Sequence, residues 1–140
     1  MIEVVSAVIV RHARLLLMQR RPDQTFPLTW VTPGGKVEGN ESHHQALARE
    51  LVEEISVAPV SMAQTEVWCG HPTPENQECF VVIYWTDIGQ GDPIPRERNG
   101  IGWFSADEVE HLSLGPADSA ARRQLCELLR RAEWDSQRNV

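Results

Sequence analysis

The sequence predicts a single domain of the α+β class over residues 1–140. Three observations point to this class. Apolar segments typical of β-strands follow one another across short turns, a segment of helical period lies in the middle of the chain, and strands and helices do not alternate as regular βαβ units. The apolar fraction of 41% and the charged fraction of 24% are ordinary for a globular protein, and the chain is long enough to bury a core without disulfides.

The N-terminal part of the chain predicts a β-hairpin. Residues 3–10 and 15–20 are both apolar segments, and the three residues 12–14 between them suit a tight turn. Residues 22–27 contain two prolines and predict a loop. Arg20 and the arginine after it, at the end of the second strand, could bind phosphate groups, although arginines at a strand end are more often simply exposed.

The middle of the chain combines a sharp turn with a helix. Pro33 and the two glycines after it supply the backbone conformations that a tight bend needs. Asn40 or Ser42 is the expected N-cap, and apolar residues recur at helical spacing after it. His43 and His44, in the first turn, are expected to be exposed. The apolar residues are Leu47, Ala48, Leu51, Val52 and Ile55.

Three glutamates lie at the edge of this apolar side. At about 100° per residue, Glu50, Glu53 and Glu54 share one helix face about 100° wide. Like charges at these spacings destabilise an isolated helix by roughly 0.2–0.5 kcal/mol per pair, so something must offset the repulsion. One interpretation is a solvated face, the common origin of charge clusters. The other is a site for Mg²⁺ or Mn²⁺, which carboxylate sites suit, above all where phosphates complete the coordination shell.

The second half of the chain predicts three more strands and two helices. Residues 60–70 and 79–88 are strands, and the turn-rich residues 70–76 between them are expected to lie over a pocket. Residues 89–100 form a second long loop, and residues 101–104 form a short strand.

The C-terminal region predicts the two remaining helices. Ser105 and Glu108 have the spacing of a capping box that opens a short helix. Pro116 starts the last helix, which is expected to end near Trp134. Residues 135–140 are expected to be loosely ordered.

Charge and cysteine usage exclude several classes of protein. The net charge of −7 argues against extended contact with nucleic acid, although local arginines and metal ions can still bring a polyphosphate to an acidic protein. No segment has the length of a membrane span, and the N-terminus lacks the features of a secretory signal. Cys69, Cys79 and Cys126 show no metal-binding spacing, so they are expected to be buried thiols of a cytoplasmic protein rather than redox or zinc sites.

The spacing around the three glutamates resembles the signature of a known family. Gly35, Glu41 and the segment at residues 49–57, RELVEEISV, match the Nudix box, Gly-x5-Glu-x7-Arg-Glu-U-x-Glu-Glu-x-Gly-U with U a bulky apolar residue. Ser56 stands in place of the last Gly. WVTPGGKVE at residues 30–38 and GWFS at residues 102–105 also resemble segments of this family. The resemblance covers roughly residues 2–130.

The resemblance implies an α/β/α sandwich with a mixed β-sheet. It also implies hydrolysis of a phosphoanhydride bond in a nucleoside diphosphate linked to another group, with Mg²⁺ or Mn²⁺ as the cofactor. Small-molecule nucleotides are the implied partners, and a homodimer is compatible with the resemblance. Nucleoside triphosphates, ADP-ribose and nucleotide sugars all remain open as substrates.

The matching positions imply roles for individual residues. Glu50, Glu53, Glu54 and the backbone of Gly35 would hold the metal, and one of the glutamates could act as general base. Arg49 would orient a glutamate through a charge-assisted hydrogen bond, and Glu41 would support the junction of loop and helix. Trp30 borders the base or sugar pocket or, with equal weight, belongs to the core. The expected substrate contacts are Arg20, Trp30, Gly34, Gly35 and Lys36.

Two positions depart from the family pattern. If the position of Ser56 requires a left-handed backbone, serine costs about 1 kcal/mol there relative to glycine. Many relatives also carry a glutamate two or three residues before Gly-Trp-Phe, where this chain has Asn99 and Gly100. Glu97 is the nearest acid and the expected replacement as catalytic residue. If it does not replace that glutamate, the alternative function is a Nudix-fold sensor that binds a nucleotide without cleaving it.

Overall fold

The computed structural model describes residues 2–72, 77–97 and 99–138. Its elements follow the chain in this order: β1 (Ile2–Val8), β2 (Val10–Arg11), β3 (Arg14–Gln19), β4 (Trp30–Val31), β5 (Gly34–Lys36), α1 (His43–Ile55), β6 (Ser61–Pro72), β7 (Glu78–Asp87), β8 (Gly100–Phe104), α2 (Ala106–His111), α3 (Pro116–Ala120) and α4 (Arg122–Arg138).

The strands of the described residues form two sheets. One has the order β5-β1-β7-β6 and is mixed, because β1 runs parallel to β7 and antiparallel to β5. The other is antiparallel and is built around β3, which pairs with β2, β4 and β8. The chain passes between the sheets at Ile9. The mixed sheet is confirmed, and the second sheet was not predicted.

Alternation along the strands sends side chains into two cores, one on each side of the sheets. In β1, Val5 and Ala7 pack in the core that contains α1, whereas Val8 packs in the core of the C-terminal helices. In β3, Leu16 faces α1 and Leu15 faces the opposite core. Helices therefore cover both faces, which is the expected α/β/α arrangement. The α1 residues in its core are Ala46, Leu47, Leu51 and Ile55.

The predicted N-terminal hairpin is confirmed. Arg11 pairs with Arg14, so the turn contains only His12 and Ala13 between the paired residues. Their φ angles are 51° and 60°, the positive values that a type I′ turn requires at both central residues. This turn brings β3, and with it Arg20, beside the glycine turn that precedes α1.

The C-terminal helical region differs from the prediction. The helix expected from Pro116 divides into α3 and α4, because Ala121 has φ −97° and ψ 6° and interrupts the regular backbone. Arg122 then turns its guanidinium towards the C-terminus of α2, where its Nη1 donates to the carbonyls of Val109 at 2.7 Å and Leu112 at 2.8 Å. The helix α4 continues to Arg138 and does not end near Trp134, so residues 135–138 are helical.

Other expectations have mixed outcomes. Residues 70–72, expected in a loop, belong to β6, and residues 73–76 lie outside the described residues. His44 is exposed as expected, but His43 is half-buried because its Nδ1 lies 2.8 Å from the Tyr84 hydroxyl. Cys79 and Cys126 are buried free thiols, as expected, and the side chain of Cys69 lies outside the part of the chain that the structure describes. No helix in the described part of the chain has the length and apolar character needed to cross a bilayer.

Candidate active site

The helix α1 begins and ends through specific local contacts. Ser42, not Asn40, is the N-cap: its hydroxyl accepts the Gln45 N–H at 3.1 Å, and the Gln45 side chain returns a bond to the Ser42 N–H at 2.9 Å. Ser56 ends the helix in the left-handed region with φ 59° and ψ 30°. The departure from Gly at this position therefore places a side chain where glycine is favoured.

Arg49 connects the loop before α1 to the glutamates on the helix. Its Nε and Nη2 donate to the two carboxylate oxygens of Glu41 at 2.7 and 2.9 Å. Its Nη1 donates to Glu50 at 3.0 Å and to Glu53 at 3.4 Å. Its Nη2 also bonds the carbonyl of Lys36 at 3.0 Å. These contacts orient the Glu50 carboxylate and raise the pKa of Arg49 above its already high value, first through the hydrogen bond to Glu41.

The glycine turn brings backbone against the glutamates. A Cβ atom at Gly35 would overlap the carboxylate of Glu50 in its present position, so glycine allows the turn to lie directly against this carboxylate. The N–H of Gly34 donates to Glu54 Oε1 at 3.3 Å. A Cβ at Gly34 would overlap the backbone of β1 at Val5. Backbone packing therefore requires glycine at position 34, whereas a side chain at position 35 would displace the Glu50 carboxylate.

The carboxyl group of Glu54 has an unusual protonation equilibrium. The pKa of Glu54 is raised to about 9, first by burial and then by the hydrogen bond to the adjacent Glu50 and the charge of Glu50. The Gly34 N–H acts in the opposite direction, and Glu97 adds a smaller increase in the pKa. Two neighbouring carboxyl groups in a half-buried site disfavour the ionisation of both at once.

A cavity of about 270 Å³ lies beside these residues. Its acidic part is lined by Glu50, Glu53, Glu54 and Glu97, together with Gly34. The remainder is lined by apolar, amide and hydroxyl groups and one arginine: Met18, Val31, Gln24, Asn99, Thr32 and Arg20.

Glu97 reaches the cavity because its loop is attached to the end of α1. The N–H groups of Ile94 and Arg96 donate to the carbonyls of Ile55 and Glu54 at 2.8 and 3.0 Å. Arg21 binds Glu97 itself: the Nη1 of Arg21 donates to the Glu97 carbonyl at 2.8 Å and lies 3.7 Å from the Glu97 carboxylate. The acid that the sequence could place only in a long loop thus lines the same cavity as the helix glutamates.

The expected substrate contacts lie in different environments. Arg20 lines the cavity, and its guanidinium bonds the backbone and hydroxyl of Thr25. Trp30 is not among the cavity-lining residues of the described chain; it packs edge-on against Phe104 with ring centroids 4.8 Å apart, beside the core of the C-terminal helices. Of the two interpretations of Trp30, the structure favours the core. Lys36 has an exposed side chain, and it too is absent from that lining.

Several residues near the cavity were not predicted. Asp118 is buried and accepts bonds from the Thr32 N–H at 3.0 Å and the Thr32 hydroxyl at 2.8 Å. The Thr32 hydroxyl also lies 2.5 Å from that of Ser6, which ties the turn before Gly34 to β1. Asn99 and Gln24 line the cavity with side-chain amides. A lone Asp after Pro116 and two isolated amides carry no periodic or motif signal, so the sequence could not mark them.

The carboxylates do not converge as a ready-made metal site. Among the described residues, no group of three or more His, Cys, Asp or Glu side chains is positioned to hold a metal ion. The contacts explain this: Arg49 holds Glu50 and Glu53, while Glu54 turns towards Gly34. The side chain of Glu53 is 56% exposed and its contact with Arg49 is long, at 3.4 Å, so a change of rotamer breaks only this weak contact.

Comparison with known proteins connects this geometry to a family. The NUDIX domain family model matches residues 2–128. The CTP pyrophosphohydrolase of Escherichia coli (strain K12) is 34% identical over 119 residues, covering 84% of this chain and 86% of that protein. The 8-oxo-dGTP diphosphatase of Haemophilus influenzae is 41% identical over 119 residues, covering 82% of this chain and 85% of that protein.

Solved structures show the same relationship. The solution structure of the E. coli ORF135 protein superposes with a TM-score of 0.79 at 30% identity, covering 94% of this chain and 91% of that one. The crystal structure of the MutT NUDIX hydrolase from Burkholderia pseudomallei superposes with a TM-score of 0.74 at 26% identity, covering 89% and 95%.

Proposed function

The chain belongs to the NUDIX family, and we propose that it is a divalent-cation-dependent pyrophosphohydrolase of nucleoside triphosphates. The observation that carries this proposal is the single cavity lined by Glu50, Glu53, Glu54 and Glu97. In the reaction a water adds to phosphorus, the bridging P–O bond between the α- and β-phosphates breaks, and the products are a nucleoside monophosphate, pyrophosphate and a proton.

The donor set fits Mg²⁺ or Mn²⁺. Carboxylate oxygens are the ligands that these hard cations prefer, and Glu50, Glu53 and Glu54 line the same cavity. Glu50, Glu53, Glu54 and the backbone of Gly35 are the residues that would hold the cation. When bound, it supplies the positive charge that offsets the phosphate oxygens.

Other groups of the protein position the carboxylates and the phosphate groups. Arg49 restrains the Glu50 carboxylate, and the side-chain-free surface of Gly35 allows the turn to lie directly against it. We assign to Glu97 the role of a ligand or proton acceptor contributed from outside the helix. Arg20 lines the same cavity and is the proposed contact for a phosphate group.

Triphosphates are favoured over ADP-ribose and nucleotide sugars by the relatives. The curated relatives are named for CTP and for 8-oxo-dGTP, and each covers more than four-fifths of this chain. The sequence WVTPGGKVE, which resembles that of small nucleoside-triphosphate hydrolases, supports the same choice.

We also propose that the protein is located in the cytoplasm. Whether it forms a homodimer is measured by light scattering after size-exclusion chromatography.

A substrate panel tests the proposed reaction. The panel contains the four common nucleoside triphosphates (including CTP), 8-oxo-dGTP, ADP-ribose and UDP-glucose, each with Mg²⁺ and with chelator. We expect Mg²⁺-dependent release of pyrophosphate from at least one triphosphate. Release of orthophosphate directly, or turnover of ADP-ribose alone, would contradict the proposal. Tight nucleotide binding without turnover of any compound would favour the sensor alternative.

A further inference from the structure

The cavity contains a pair of neutral amides whose orientation is set by their neighbours. The Asn99 Nδ2 donates to the backbone carbonyl of Gln19 at 2.9 Å and to Gln24 Oε1 at 3.1 Å. Gln24 Oε1 also accepts the Arg21 N–H at 2.7 Å. Rotating the Asn99 amide would bring its oxygen against two acceptors, so the hydrogen-bond network assigns each nitrogen and oxygen.

This network leaves two groups for a ligand. Both hydrogens of Asn99 Nδ2 and both lone pairs of Gln24 Oε1 are used, whereas no residue in the described ranges bonds Asn99 Oδ1 or Gln24 Nε2. Asn99 and Gln24 both line the cavity. These two cavity-lining residues therefore have one acceptor and one donor left for a ligand, on amides that are fixed by hydrogen bonds.

The surrounding residues hold this pair in place. Gly100, immediately after Asn99, pairs with Gln19 in the sheet, and the Gln19 side chain donates to the Leu28 carbonyl at 3.1 Å. The partners of Asn99 thus belong to a β-strand and a bonded loop. A donor–acceptor pair held in this way is preorganised for selective hydrogen bonding.

The chemistry of the pair fits a nucleobase better than a phosphate. The amides are neutral, and an exposed amide oxygen repels phosphate oxygens, for which the acidic part of the cavity with its cation, and Arg20, are the better partners. Met18 and Val31 in the same cavity provide apolar contact for a planar ring. Side-chain amides pair with adjacent donor and acceptor groups on base edges.

We propose that Asn99 and Gln24 bind the hydrogen-bonding edge of the nucleobase and thereby determine which nucleoside triphosphate is accepted. This inference rests on the proposed function, since it takes the substrate to be a nucleotide. It makes the two residues determinants of specificity rather than of the chemical step.

The test measures binding, so it does not require turnover. Isothermal titration calorimetry in Mg²⁺ compares the α,β-methylene triphosphates of adenosine, guanosine, cytidine and uridine with base-free ribose 5-(α,β-methylene)triphosphate. The wild type should prefer one base over another by about tenfold or more, the scale of a good base contact. Gln24→Glu keeps the oxygen that Asn99 and Arg21 use but replaces the free donor with an acceptor. It should change the order of the affinities for the four nucleotides, whereas a general loss of phosphate affinity would lower all of them and leave their order unchanged.

Two further variants complete the design. Gln24→Met removes the donor without adding charge and should reduce the spread among bases, which keeps the test valid if the glutamate variant is unstable. Gln124→Glu adds the same charge at an exposed position of α4 and should leave the order of bases unchanged.

An unchanged order of bases in both Gln24 variants, or wild-type affinity for the base-free ligand equal to that for nucleotides, overturns the inference. Base discrimination without hydrolysis would overturn the proposed reaction alone, and failure to bind any nucleotide would overturn both.

Discussion

Arg49 and Glu41 form a two-pronged ion pair across the start of the central helix. The Nε and Nη2 atoms of the guanidinium lie 2.7 and 2.9 Å from the two carboxylate oxygens. This geometry fixes the plane of the guanidinium, which leaves Nη1 directed at Glu50. The pair thus connects the loop before α1 to a proposed metal ligand.

Arg49→Lys should impair activity more than it impairs the fold. Lysine keeps the charge but cannot bond both oxygens of Glu41 while also orienting Glu50. We expect kcat/KM to fall about tenfold or more, with a small decrease in melting temperature. The matched control is Arg123→Lys, which alters an exposed ion pair with Glu127 on α4. Equal activities for the two variants would show that the fork geometry is unimportant.

Glu53→Gln should abolish turnover and leave the protein folded. The side chain is 56% exposed, so its volume is unimportant to the core, while its charge is needed for the proposed cation. A loss in kcat exceeding about 10²-fold is expected for an electrostatic element of the transition state. Glu127→Gln is a close control, because Glu127 is 54% exposed and also pairs with an arginine four residues away. Near wild-type turnover of Glu53→Gln at saturating Mg²⁺ would refute the assignment.

Glu97→Gln tests whether Glu97 replaces the glutamate that many relatives carry before Gly-Trp-Phe. We expect kcat to fall by about tenfold or more with little change in nucleotide affinity, as for an interaction made mainly in the transition state. Asp92→Asn is the control in the same loop, since its side chain is 93% exposed. Steady-state kinetics combined with calorimetric binding measures both quantities. If kcat does not change, the helix glutamates alone carry the chemistry.

The raised pKa of Glu54 predicts how the stability of the metal-free protein depends on pH. Between about 4.5, the ordinary value, and about 9, the folded protein binds more protons at this group than the unfolded chain does. Folding stability should therefore fall as pH rises through this window. Glu54→Gln should flatten this dependence and raise the melting temperature at pH 8 by roughly 3 °C. Circular dichroism melts from pH 5 to 9 with chelator measure it, and a wild-type stability that rises towards pH 9 would contradict the prediction.

Ser56→Gly should stabilise the protein slightly. Ser56 has φ 59°, and glycine adopts this conformation without steric cost. The substitution also removes the hydrogen bond from the Ser56 hydroxyl to the Ile94 carbonyl at 3.3 Å. Because that bond is long and exposed, we expect a net gain of about 0.5 kcal/mol in the free energy of unfolding, measured in urea. A loss of stability would mean that the hydroxyl contact outweighs the backbone strain.

Local patterns in the sequence determined the parts of this protein that depend on near neighbours along the chain. The 3.6-residue period placed Glu50, Glu53 and Glu54 together, and the capping box at Ser105 began a helix as expected. The hairpin at residues 12–13 followed from two strands separated by a short turn. Each of these features is decided by backbone geometry within a few residues.

Only the tertiary structure decided which distant residues meet. Glu97 lines the cavity because backbone bonds attach its loop to the end of α1, and Asn99 meets Gln24 because β8 pairs with β3. Trp30, adjacent to the glycine turn in sequence, packs instead against Phe104. Such contacts join distant segments, 75 residues apart for Asn99 and Gln24, and they arise from sheet pairing and core packing, which leave no periodic signal in the sequence.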